Sequence, residues 1–85
     1  MLRIYAKLII DGKVCESYVH QINGGFVIQD FFEYLQEICT NLDIPNPIIL
    51  TKHIKNFILF DSTTFLPEDF VESFPYDKLV LEVYK

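Results

Sequence analysis

The chain has 85 residues, 51% of them hydrophobic, with eight Phe, five Tyr and a formal net charge of −5. That apolar and aromatic content argues against a disordered chain, and no apolar run approaches the roughly 18 residues of a transmembrane helix. The acidic balance disfavours nucleic acid or an anionic membrane as partner, because phosphate binding needs clustered Lys and Arg. One domain spanning residues 1–85 is expected, large enough for a single core. The opening Met1-Leu2-Arg3-Ile4, with charges at Arg3, Lys7, Asp11 and Lys13, reads as a strand rather than a signal peptide. The two cysteines then point to a reducing cytoplasm.

Leu2 to Ile10 and Lys13 to His20 flank Asp11-Gly12, a strong signal for a two-residue hairpin turn, because a type I′ turn needs positive φ at both central positions. Such a loop sets Ile10 opposite Lys13, Leu8 opposite Cys15, Lys7 opposite Glu16 and Tyr5 opposite Tyr18. Leu2, Ile4, Ala6, Leu8, Cys15, Ser17 and Val19 then share one face. Arg3, Tyr5, Lys7, Ile9, Val14, Glu16, Tyr18 and His20 share the other, with Lys7 and Glu16 as an opposite-charge pair. The charged face is expected in water and the first set in the core.

Asn23-Gly24-Gly25 breaks the strand pattern. Ile28, Phe31, Phe32, Leu35, Ile38, Cys39 and Leu42 then recur at helical spacing, predicting a helix over 28–42. Asp30, Glu33, Gln36, Glu37 and Thr40 lie opposite as an acidic outer stripe. Pro45-Asn46-Pro47 ends the helix. Ile48 to His53 and Phe57 to Asp61 read as two short strands joined around Lys55-Asn56, although Thr51, Lys52 and His53 spoil strict alternation. Asp61 to Thr64 reads as a loop, and Pro67-Glu68-Asp69-Phe70 as a single helical turn with Pro at an allowed early position. In the last strand, Leu79, Leu81 and Val83 alternate with Val80, Glu82 and Tyr84, so the first three point inward.

The immediate strand Met1-Leu2-Arg3-Ile4-Tyr5 and the close Thr64-Phe65-Leu66-Pro67-Glu68-Asp69-Phe70 followed by Tyr76-Asp77-Lys78-Leu79-Val80-Leu81-Glu82-Val83 resemble the ubiquitin-like (β-grasp) superfamily over nearly the whole chain. The resemblance is one of element order and spacing. It implies an α+β roll of order ββαββ, short helix, β, with one amphipathic helix on a mixed sheet and the last strand beside the first. Conjugated modifiers and sulfur carriers of that superfamily end in Gly-Gly. This chain ends Val83-Tyr84-Lys85, and Gly24-Gly25 is internal, so the resemblance does not extend to conjugation or sulfur transfer.

No motif for catalysis, cofactor or metal stands out. Cys15, Cys39, His20 and His53 lack the close spacing of a zinc knuckle, and buried thiols with surface histidines are the plainer reading. Cys15 is placed facing the helix that carries Cys39, so the two thiols are candidates for contact, reduced thiols being favoured over a disulfide. Ser17 and His20 lie three apart on a strand and point oppositely, which disfavours a nucleophile–base pair. Gly24-Gly25 is not followed by the Lys-Ser or Lys-Thr of a phosphate loop.

The outer hairpin face is the sharper candidate. Tyr5, Ile9, Val14 and Tyr18 are too apolar for a wetted sheet, and a neighbouring last strand adds Val80 and Tyr84. Tyr suits interfaces because its ring is apolar while its hydroxyl stays wet. The expected function is a non-enzymatic module that binds a protein partner or a second copy through this face, with no cofactor, nucleic acid, membrane or evident small-molecule substrate. The alternative is an accessory subunit of a multicomponent enzyme complex of oxygenase type, or of a secretion system.

Overall fold

The computed structural model describes residues 2–25 and 27–84. Met1, the first residue of the ubiquitin-like opening, lies outside the described residues, as do Phe26 and Lys85. Among the described residues four strands and two α-helices form, in the order β1 (Leu2–Ile10), β2 (Lys13–Ile22), α1 (Phe31–Leu42), α2 (Thr51–Phe60), β3 (Ser62–Phe65) and β4 (Lys78–Tyr84). Single 3-10 turns precede α1 (Ile28–Asp30) and follow β3 (Pro67–Asp69). The strands make one sheet of order β2-β1-β4-β3 in which every neighbouring pair is antiparallel. The first and last strands are neighbours as expected, but they run antiparallel, so the mixed sheet of the β-grasp expectation is not formed.

The Asp11-Gly12 turn forms with φ of 53° and 76°, the left-handed pair that a two-residue hairpin requires. Ile10 faces Lys13 and Ile9 faces Val14, but Leu8 then faces Glu16, so Cys15 is an extra, unpaired residue in β2. This bulge inverts every face assignment from Glu16 onward. Tyr18, His20 and Ile22 share the side of Ala6, Ile4 and Leu2, and Ser17, Val19 and Gln21 turn outward. Ile22 is buried and Tyr18 packs on the core, whereas Val19 is exposed. The inward placement of Cys15, Ser17 and Val19 is thereby corrected. Lys7 now faces Ser17, and its ion-pair partner is Glu82 on β4 rather than Glu16.

α1 forms where its apolar spacing predicts. Phe31, Leu35, Ile38, Cys39 and Leu42 are buried, while Phe32 is 57% exposed and leaves the expected core set. The helix stops at Asp43, whose left-handed backbone (φ 57°) lets the Ile44 N–H return to the Cys39 carbonyl at 3.0 Å, the wide closing bond of a helix C-terminus.

Residues 51–60 form α2 rather than parts of two strands. His53 and Phe57, four apart, face the core, with Ile54 half-buried beside them. The Thr51, Lys52 and His53 that disrupted a strand alternation are the first turn of this helix. Asp61 ends it in the left-handed region (φ 56°), and the chain reverses directly into β3. The expected loop over 61–64 is instead largely β3, whose Thr63 and Phe65 are buried. Leu79 and Leu81 of β4 meet Ile4, Ala6, Leu8, Phe31, Leu35, Ile38, Phe57 and Phe65 in one core, and all of these are buried. Both helices therefore contribute to the inner face of the sheet, and the outer face carries no helix.

Among the described residues, no helix is long and apolar enough to cross a membrane.

Candidate functional site: the outer sheet face

Antiparallel register arranges the outer face in four rows. Gln21, Arg3 and Tyr84 form the first, and Val19, Tyr5, Glu82 and Ser62 the second. Ser17, Lys7, Val80 and Thr64 form the third, and Val14, Ile9 and Lys78 the last. Tyr5, Ile9, Val14, Val80 and Tyr84 thus share this face as expected. Tyr18 does not: the Cys15 bulge turns it to the helix side, and Val19 takes its place beside Tyr5.

The patch divides in two. The Lys7–Glu82 ion pair crosses the middle of the sheet between β1 and β4. On one side of it, the rings of Tyr5 and Tyr84 meet edge to face, with centroids 5.8 Å apart at 78°, a favoured geometry for aromatic pairs. The Lys7 ammonium lies 5.6 Å from the Tyr5 ring centre, within cation–π range. Its pKa is raised, chiefly by the hydrogen bond to Glu82, so Lys7 stays charged throughout the physiological range. Arg3, Tyr5, Val19 and Tyr84 line a shallow depression of about 390 Å³. Val19 is 42% and Tyr84 46% exposed. On the other side of the ion pair, Ile9 and Val14 form a smaller apolar spot, held to the β4 side by the Asp77 N–H donating to the Ile9 carbonyl at 2.8 Å.

Of the residues weighed for catalysis or metal binding, Ser17 lies on this face, while His20, His53 and Cys39 are turned away from it. His20 is turned toward α1, where its ring lies 5.4 Å from Tyr34 and its Nδ1 2.8 Å from Glu37. His53, 1% exposed, belongs to a structural knot. Its Nδ1 accepts the Leu50 N–H at 2.9 Å and its Nε2 lies 3.3 Å from Asp69 Oδ2. The same Asp69 oxygen accepts the Leu66 N–H at 2.9 Å, and the Asp69 carbonyl accepts the Ile48 N–H at 2.7 Å. An Nδ1 that accepts a backbone N–H carries no proton, so the ring is the neutral Nε2–H tautomer. Burial pushes the His53 pKa down, with the hydrogen bond to Asp69 working against it. Two turns are capped from within by side chains reaching back three residues, and the caps are joined to one another. This arrangement fixes the start of α2 against the turn after β3 and leaves no free imidazole nitrogen for chemistry.

Cys39 lies in the core, its thiol pKa pushed up to about 12 by burial. Cys15 is exposed at the bulge, and both thiols are free. The expected approach of Cys15 to Cys39 fails for the same reason as the register. An aromatic disulfide reagent is expected to titrate a single thiol of the native protein quickly and the second only after denaturation. Equal rates for both would contradict the burial of Cys39. Among the described residues, no three His, Cys, Asp or Glu side chains gather as a metal site would require.

The sequence reading missed a second apolar surface. Ile58, Leu59 and Phe60 on α2 are 56%, 60% and 69% exposed. The signal was the three-residue spacing of Ile54 and Phe57, with His53 beside them: one helix face holds all three, whereas a strand splits them between its two faces.

Comparison of the chain with protein-family models, with curated proteins and with solved structures finds no match.

Proposed function

We propose that this protein is a non-catalytic binding module that docks a protein partner on the outer face of its sheet. The observation that carries the reading is the half-buried Tyr5 paired with the exposed Tyr84 and Val19 around a shallow depression, on a face that no helix of the described residues covers. Aromatic rings held by their neighbours lose little conformational freedom on binding, which favours them as interface anchors. The Lys7–Glu82 pair and Arg3 supply a polar edge of the kind that surrounds such anchors. The reading rests on this surface and does not depend on the ubiquitin-like resemblance. An accessory subunit of an enzyme complex would use the same face, and the identity of the bound partner separates the two roles.

The double substitution Tyr5→Ser with Tyr84→Ser tests it, with circular dichroism confirming that the fold is kept. Affinity capture from the native cell is expected to lose one defined partner with this variant and to retain it with Leu59→Ser on α2. Size-exclusion chromatography of the purified proteins shows whether that partner is a second copy. Retention of the whole partner profile and of the oligomeric state by the Tyr variant contradicts the proposal.

A further inference from the structure

α2 and β3 enclose a second feature, at the β3 edge of the sheet and apart from Tyr5, Val19 and Tyr84. Among the described residues β3 pairs only with β4, which makes it an edge strand. The Val83 N–H donates to the Asp61 carbonyl at 2.8 Å, which sets the phase of this antiparallel ladder. Residues 61, 63 and 65 turn their backbone groups toward β4, and Ser62 and Thr64 turn theirs to the open side. An open strand edge of this kind is a template for another strand.

Along this edge lies a groove of about 330 Å³, walled by Lys52, Asn56 and Phe60 of α2 and by Ser62, Thr63 and Thr64 of β3. Lys52, Asn56 and Phe60 recur every four residues, so they form one ridge of the helix. From Lys52 to Phe60 that ridge runs about 12 Å at 1.5 Å per residue. From Ser62 to Phe65, β3 spans about 10 Å. Helix ridge and strand edge are thus of similar length, and the room between them suits an extended segment of about four residues. The two ends differ. Phe60, 69% exposed, and Asp61 stand where the chain turns from helix to strand, and that end is closed. At the other end Lys52 is exposed and makes no ion pair among the described residues. Among the described residues the Thr63 hydroxyl beneath the groove has no hydrogen-bond partner, although Thr63 is only 3% exposed.

We propose that the α2–β3 groove accepts an extended, acidic peptide segment that adds to β3 as a fifth strand. Its backbone pairs with Ser62 and Thr64, an acidic side chain meets Lys52, and an apolar side chain lies on Phe60. Main-chain hydrogen bonds supply affinity and the alternating side chains supply specificity, as in other recognition by strand addition. The acidic requirement follows from the unpaired Lys52 at the open end, with Asp61 at the closed end disfavouring an acid there.

The test uses a displayed library of random octapeptides as the probe, selected on the full chain, followed by titration of the selected peptides under amide NMR. The proposal expects peptides with an acidic and an apolar residue at strand spacing, and amide shifts at Ser62 and Thr64. Lys52→Glu is expected to weaken those peptides by at least about tenfold, since it sets like charges together. Thr64→Pro removes an N–H that β4 does not use, a change an edge strand accommodates, and is expected to abolish binding while thermal unfolding stays cooperative. Should Thr64→Pro fail to fold, the Lys52→Glu titration decides. Failure to select any peptide, binding unaffected by Lys52→Glu, pairing of β3 with a second copy, or shifts confined to Tyr5, Val19 and Tyr84 would each overturn it. Tyr5→Ser with Tyr84→Ser leaves peptide binding unchanged if the two surfaces are independent, which separates this inference from the proposed function of the sheet face; loss of the peptides in that variant also overturns it.

Discussion

Replacing His53 with alanine is expected to lower stability by about 3 kcal/mol, combining a cavity in a packed site with buried hydrogen-bonding groups left unpaired. The Leu50 N–H loses its acceptor, and Asp69 loses the Nε2–H partner that it shares with the Leu66 N–H. The ring also lies against Phe65, with centroids 4.2 Å apart, so packing is lost as well. For a domain of this size that loss corresponds to a fall in melting temperature of roughly 12–24 °C. His53→Gln is the informative partner. A glutamine at this position can accept the Leu50 N–H through its carbonyl and donate its amide to Asp69, as Gln does in a capping box, so it should cost clearly less than alanine. Equal costs for the two would show that packing, not the joined caps, holds this corner together.

The same pair of proteins carries a pH signature. The folded state holds His53 neutral, with its pKa below the ordinary 6.5. The unfolded chain takes up the proton first as pH falls, so the unfolded state binds more protons in the window just below about pH 6.5 and stability declines there. Above that value the contribution is fully present. Measured by urea unfolding, the wild-type protein is expected to lose stability relative to His53→Gln between about pH 6.5 and pH 5.5. The comparison removes the carboxylates and His20, which both proteins share. A constant difference across that range would contradict the neutral tautomer assigned here.

Phe57→Ala is expected to have the other large effect, about 3–5 kcal/mol, the range for deleting a buried aromatic ring. Phe57 is 2% exposed and its ring meets Phe31 of α1 with centroids 5.0 Å apart at 57°. Together with His53 it docks α2 on the remainder of the core, so the substitution strikes both the helix and the groove it walls. Ile58→Ala, one residue further along, removes a side chain that is 56% exposed and should change stability by no more than about 0.5 kcal/mol. Urea unfolding of the two variants measures the contrast directly. Similar losses at the two positions would mean that residues 57 and 58 are both inside, which contradicts the exposure of Ile58.

Local chemistry made part of this fold legible. Asp11-Gly12 specifies its own turn, the spacing of Phe31, Leu35, Ile38 and Leu42 specifies α1, and Leu79, Leu81 and Val83 specify the inner face of β4. What failed has two physical causes. In β2, the sets Cys15, Ser17, Val19 and Glu16, Tyr18, His20 are both of mixed polarity, so hydrophobic alternation cannot choose between them. One extra residue, Cys15, then decides which set meets the helix, and an edge strand tolerates such a bulge readily. In residues 48–60, the β-branched and aromatic Ile48, Ile49, Thr51, Ile54, Phe57 and Ile58 carry a strand propensity that tertiary packing overrides. The three-residue spacing of Ile54 and Phe57 was the better guide.

The candidate site followed the same division. Tyr5, Ile9, Val14, Val80 and Tyr84 lie on strands whose faces were legible, and the outer sheet face unites them. Tyr18 was lost to the bulge and Val19 gained by it. The division of the patch by Lys7 and Glu82 was hidden because the antiparallel β1–β4 register, which sets Glu82 opposite Tyr5, is a long-range pairing that no local pattern encodes.

The central claim is that the outer sheet face is where a protein partner docks. Photo-crosslinking in the native cell tests it most directly, with a photoreactive amino acid placed at position 19, beside Tyr5, and separately at position 59 on α2. The proposed docking surface predicts a single strong adduct from position 19 that disappears in the Tyr5→Ser, Tyr84→Ser background, and no matching adduct from position 59. The same adduct formed from position 59 and absent from position 19 would contradict it, and would move the binding surface to the exposed ridge of Ile58, Leu59 and Phe60.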